Sequence, residues 1–264
     1  MSVKRPYRRT CRQFKDGSYM EGGKWFYLLH KNFARDPQHY IRAFLILQND
    51  LFELFDYIEP ADSNFPTYSH RIQQLLLRTC VEIEANLTAI LVENGYSKAG
   101  DLNMTDYRLI NRTHRLSSYK ARLPIWAGQG GVRQPFLAWD GGQALTWYRA
   151  YNKSKHNRHE SFRDASFQHL IDAMCGLVIV LSAQFCQEDY SPTNKSIGIS
   201  GDYSYDTDDG MESAIGEYFR VMFPNDWPDE ERYDFDWQDL KDIEDPFDRI
   251  NYSKVIGDMP AGRA

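Results

Sequence analysis

The chain is expected to fold as a mainly all-α protein: a helical bundle of the four-helix type with peripheral loops and an aromatic-acidic C-terminal extension. Three long segments repeat apolar residues at helical spacing, a polar fourth segment shares that spacing, and the chain turns acidic and aromatic after residue 187. No internal repeat and no coiled-coil heptad competes with this reading.

Taken in order, residues 1–20 are basic (Lys4, Arg5, Arg8, Arg9, Arg12) and nearly free of aliphatics, the pattern of an arm or a poorly ordered end. Residues 24–33 are apolar enough to dock on the body. Asp36-Pro37 has the form of an N-cap followed by proline at the first helical position. Tyr40, Phe44, Leu47, Leu51, Leu54, Phe55 and Ile58 then keep a 3.6-residue period, and the helix stops at Glu59-Pro60. A second helix is predicted from about Ser69 to Glu93, with Ile72, Leu76, Cys80, Ile83, Leu87 and Ile90 as its buried stripe. Asn94-Gly95 ends it. On another face Arg78 and Glu82 stand four apart and are expected to pair.

Residues 105–116 read as a shorter helix and 118–126 as extended. Residues 128–131 (Gly-Gln-Gly-Gly) form a turn, and 135–139 pack as irregular structure. The glycine cluster beside Arg133 lacks the strand–GxxxxGK[ST]–helix pattern of a phosphate loop. Residues 147–159 read as one continuous helix. Asp164 is placed as the cap of the most apolar helix, in which Phe167, Leu170, Ile171, Met174, Leu177, Val178, Leu181 and Phe185 recur. Residues 191–209 have linker composition. From Met211 onward Tyr218, Phe219, Phe223, Trp227, Tyr233, Phe235, Trp237 and Phe247 alternate with acids, as in an extension anchored by aromatic plugs. The expected division is thus 1–35, a basic arm and docking segment; 36–187, the helical domain; and 188–264, the extension.

The net charge of −6 conceals an asymmetry. From Glu188 onward there are 20 acidic and 7 basic residues, against 17 and 24 in the first 187. A basic body suits a polyanionic partner, and the tail either competes for that surface or is a solvated acidic appendage. Cys11, Cys80, Cys175 and Cys186 show neither metal-ligand nor secretory spacing and are expected as reduced thiols. The basic start runs into no apolar segment, and the longest apolar run, 174–183, is too short to span a bilayer. A soluble, cytoplasmic chain with no membrane partner is expected.

Chemistry concentrates in 147–159. At about 100° per residue, Arg149, Asn152, Lys153 and His156 share one helical face, with Glu160 on the same side. Tyr148, Lys155 and His159 flank that face, while Trp147, Tyr151 and Ser154 point away. Cleaving RNA by attack of its own 2′-hydroxyl needs a base, an acid and positive charge at the pentacoordinate phosphate. Imidazole serves as base or acid, and guanidinium stabilises the developing charge. Asparagine can hold the phosphate or orient the imidazole. No metal or other cofactor is required.

The spacing of Arg149 and His156, separated by six residues that include the polar Asn152, resembles the Arg-x4–6-His signature of HEPN (higher eukaryotes and prokaryotes nucleotide-binding) proteins. The helix bearing Arg78-Thr79-Cys80-Val81-Glu82-Ile83-Glu84 precedes the Tyr-Asn-x-x-Lys-His-x-Arg core of residues 151–158, which leads into an apolar helix. That order, over roughly residues 36–187, resembles the helical bundle of HEPN-like bacterial proteins, including a largely uncharacterised branch. The resemblance implies a metal-independent endoribonuclease, a toxin or anti-phage defence effector, working as a homodimer on RNA and paired with an antitoxin or defence-system partner. It implies Arg149, Asn152 and His156 as catalytic residues, with Lys153, Lys155, Arg158 and Tyr151 binding substrate. The family commonly has a polar residue directly after the arginine, where this chain has Ala150, so Arg158 is a second candidate for the phosphate contact.

Two other readings stand beside this one. A non-catalytic module would bind nucleotide, RNA or a protein through the same face. His156, His159 and Glu160 could meet a metal, but no second ligand group accompanies them and the neighbouring arginines oppose a cation. Glu82 and Glu84, on different faces of their helix, could each reach the basic site across the bundle.

Overall fold

The computed structural model describes residues 2–190 and 209–257, with every side chain there except that of Arg158. The linker reading therefore falls, but for Asp209, outside the described residues, as does the side chain proposed at Arg158.

The fold is mainly helical. Its centre is the pair α2 (His70–Glu93) and α7 (Phe167–Phe185), packed along each other. The first helix, α1 (Pro37–Phe55), lies on α2, and α5 (Thr146–His156) packs against both α2 and α7. Only Gln168 and His169 of α7 escape burial, as expected of a helix apolar on all sides and placed centrally. By length and composition α7 could cross a membrane, but 89% of its most apolar window is buried inside this protein. Shorter helices complete the set: α3 (Met104–Tyr107), α4 (Leu109–His114), α6 (Arg158–Ser161), α8 (Trp237–Leu240) and α9 (Tyr252–Gly257).

A small antiparallel sheet accompanies the helices. Its strands are β1 (Lys120–Arg122), β2 (Val132–Arg133), β3 (Glu212–Ser213) and β4 (Arg220–Met222), in the order β2-β1-β4-β3. Ala121 lies opposite Val221, and both are fully buried on the side of α7. The extension thus completes a sheet begun in the body. Its Phe219, Trp227, Tyr233, Trp237 and Phe247 are buried as plugs.

Several local expectations are corrected by tertiary partners. The N-terminal arm is not loose. Arg9, Thr10 and Cys11 are buried, and Phe14 packs among Tyr27, Tyr233 and Phe235. Burying a guanidinium requires a full set of acceptors. Arg9 has Glu93, Gln184 and the Arg35 carbonyl, with the Tyr40 ring 4.4 Å away. Ser69 caps α2 by accepting from Ile72 N–H, whereas Asp36 precedes α1 in a left-handed conformation and makes no side-chain cap. The cap of α7 is Ser166, not Asp164. Arg78 reaches across to Asp50 of α1 instead of pairing with Glu82. The helix expected over 105–116 is split at Arg108, its first part opening on an Asn103–Asp106 capping box. All four cysteines are buried free thiols.

Candidate functional site

α5 is amphipathic at a period that matches its packing. Trp147, Ala150, Tyr151 and Ser154 face the core, while Arg149, Lys153, Lys155 and His156 are exposed and Asn152 is half-buried. The Trp147 indole N–H donates to the Pro135 carbonyl (2.9 Å), and Gln73 of α2 donates to the Ser154 carbonyl (3.4 Å). Gly176 of α7 sits where Ile83 and Trp147 converge, so the site helix is held against the central pair. Lys153, Lys155 and His156 occupy its last turn, where positive charge also complements the helix dipole.

The helix is shorter than its spacing implied. Asn157 leaves helical geometry (φ −136°, ψ 64°), so 147–159 is not one continuous helix. His159 and Glu160 belong to α6, and Glu160 accepts a hydrogen bond from Asn157 (2.7 Å) instead of continuing the α5 face. Arg149 and His156 remain on one face, two turns apart, or about 10 Å along the axis.

A carboxylate that was only one of two candidates proves to be the close neighbour of this helix. Glu84 of α2 accepts from the Tyr148 hydroxyl (2.5 Å) and lies 3.5 Å from that of Tyr151, which in turn accepts from Lys155 (3.2 Å). Burial, then the hydrogen bond to Glu84 and its charge, pushes the Tyr148 hydroxyl far above its ordinary range, with the nearby Asn152 opposing. The hydrogen bond to Tyr151 raises the Lys155 ammonium pKa, keeping that charge in place. Tyr151 is only 1% exposed, so it has no ring face to offer a base and acts through its hydroxyl. Glu84 stands one helical turn after Cys80 of the buried stripe, a position that hinted at an inward carboxylate without naming its partner. Glu82 is unconnected to this network, and burial raises its pKa.

Lys153 forms an ion pair with Asp164 (3.2 Å). Among the described residues, neither Arg149 nor His156 makes a side-chain ion pair or hydrogen bond, and both face solvent. No group of three or more His, Cys, Asp or Glu among the described residues is arranged to hold a metal ion. The glycine turn does cradle an anion, but the anion is internal. Asp62 accepts from the N–H groups of Gln129 and Gly130 and from the Trp126 indole, while Arg133 is turned inward onto Asp172.

No family model, no curated protein and no solved structure matches this chain.

Proposed function

We propose that this chain is a metal-independent endoribonuclease with a HEPN-like four-helix arrangement, α1, α2, α5 and α7, and a site on α5. The single observation that carries the proposal is the row Arg149, Asn152, His156, with solvent-facing ends and a half-buried middle, on a helix whose opposite face is locked into the core. In this reading His156 moves protons and Arg149 stabilises charge on the phosphate. Lys153 and Lys155 hold flanking phosphates. A 2′-oxygen attacks phosphorus, the bond to the 5′-oxygen breaks, and the proton taken from the 2′-hydroxyl is balanced by one given to the leaving oxygen. The products are a 2′,3′-cyclic phosphate end and a 5′-hydroxyl end. A homodimer would bring two such helices to one RNA, and a toxin or anti-phage role with an antitoxin or defence partner follows from the same resemblance.

The test is incubation of the full chain with total RNA in EDTA. Cleavage leaving cyclic phosphate ends, reduced by ~10²-fold or more in His156→Ala, is the expected outcome. His156 is exposed, so this substitution should leave the circular dichroism spectrum unchanged. Salt-sensitive RNA retention with no cleavage would replace the nuclease by a binding module using the same face.

A further inference from the structure

A second polar site lies away from α5, and it does not depend on the ribonuclease reading. A cleft of about 270 Å³ opens where α4, the turn at 137–140, the extension and α9 meet. Arg112, Arg115, Trp139, Asp140, Asp226 and Glu231 line it.

Among the described residues, two of its polar atoms are buried without a hydrogen-bond partner. One is the indole Nε1 of Trp139, a residue 4% exposed, and the other is Oε2 of Glu231. A buried donor left unmatched is costly, and native proteins hold few of them. The Glu231 oxygen stands 3.9 Å from Arg115 Nη1, close enough for attraction but beyond a hydrogen bond. Arg115 is itself fixed by a two-point pairing to Asp226 (3.2 and 2.9 Å) and holds a left-handed backbone (φ 52°), a strained conformation for a long side chain. Arg112 is exposed at the rim and makes no ion pair among the described residues.

The unmatched groups are of both kinds. The Arg112 guanidinium and the Trp139 N–H call for an anionic acceptor, while Glu231 and the exposed Asp140 call for a cationic donor. A purely anionic ligand would meet three carboxylates in this cleft, and a purely cationic one two guanidiniums. A small molecule carrying one group of each sign satisfies both sets, and the volume fits a metabolite below drug size. We infer that this cleft binds a free α-amino acid, its carboxylate held by Trp139 and Arg112 and its ammonium by Glu231 and Asp140. Asp226 and Glu231 belong to the extension, so the ligand would join the extension to the helical body.

Isothermal titration of the full chain against each of the twenty L-amino acids, with Trp fluorescence as a second readout, tests this. At least one should bind with Kd of about 1 mM or tighter and raise the Tm. The matching acid without its amine, and the matching amine without its carboxylate, should each bind about tenfold more weakly or worse. Trp139→Phe, which removes the N–H and keeps an aromatic ring, and Arg112→Gln should each weaken binding by about tenfold. The inference is overturned if no amino acid binds below about 10 mM, if the amine-free acid binds as well as the amino acid, or if both variants bind as the parent does. Should Trp139→Phe fail to fold, Arg112→Gln decides, because Arg112 is exposed.

Discussion

Residues 4–15 carry six cationic side chains, and each has found a partner inside the protein. Lys4 and Lys15 share Asp234, Arg5 meets Asp248, Arg8 meets Asp245, Arg9 is buried on Glu93, and Arg12 donates to the carbonyls of Thr113 and Glu231. Among the described residues, Lys153 alone on α5 has a carboxylate partner, and Arg149 and His156 face solvent. Counted along the chain, the two stretches look equally ready for a polyanion. In three dimensions the acidic extension runs beside the N-terminal arm and neutralises it. Among the described residues no ion pair joins the extension to α5. The extension therefore pairs with the arm and leaves the exposed Arg149 and Lys155 of α5 without a carboxylate partner among the described residues.

The contrast can be broken most directly at Arg9. Removing that guanidinium in Arg9→Met strands Glu93, Gln184 and the Arg35 carbonyl, and should cost about 3–5 kcal/mol of stability by urea unfolding. A loss near that of an ordinary surface change would mean that the arm is not anchored.

His114 supplies a second test of the same anchorage. It is fully buried against the Arg9 carbonyl (3.0 Å) and Thr10 (3.2 Å), and burial pushes its pKa down to about 3. The unfolded chain then binds a proton that the folded chain refuses. Stability from this group is fully present above the unfolded value of ~6.5 and is lost as pH falls toward about 3, by at most ~1.4 kcal/mol per pH unit. His114→Gln should flatten that slope in unfolding curves recorded across the window; an unchanged slope would assign it to other groups.

Charge removal compares the two stretches side by side. Arg149→Gln with Lys155→Gln should weaken RNA retention about tenfold and make the salt dependence shallower by about one to two log units per log unit of salt. Lys4→Gln with Lys15→Gln, which removes as much charge from the arm, should do neither. Equal effects from the two pairs would erase the distinction.

The smallest effect is expected at Glu84. Glu84→Gln weakens the anchor that accepts from the Tyr148 hydroxyl, and should lower the thermal unfolding midpoint by a few degrees and reduce RNA cleavage only a few-fold. Unchanged melting and cleavage would disconnect Glu84 from the site helix.

Much of the helical body was legible because a buried stripe must recur with the helical period whatever it packs against. The stripe from Ile72 to Ile90, the Ser69 start and the Asn94-Gly95 end all follow from local rules. The common face of Arg149 and His156 was legible for the same reason. Other features had no local signal. Asn157 interrupts a run that would suit a longer helix, and the chain then folds back so that Phe162 packs on Tyr68 and His70. Arg78 had an acid one turn away and chose one on another helix. The sheet joins segments about a hundred residues apart, β1 to β4, each too short to register as alternation.

By itself, then, the sequence determined which residues turn inward along each helix and which polar groups share the α5 face, since both depend on backbone geometry repeated every few residues. Only the tertiary structure decided which charges remain available. An ion pair depends on what lies across space, and for the arm that is a stretch of chain more than two hundred residues away.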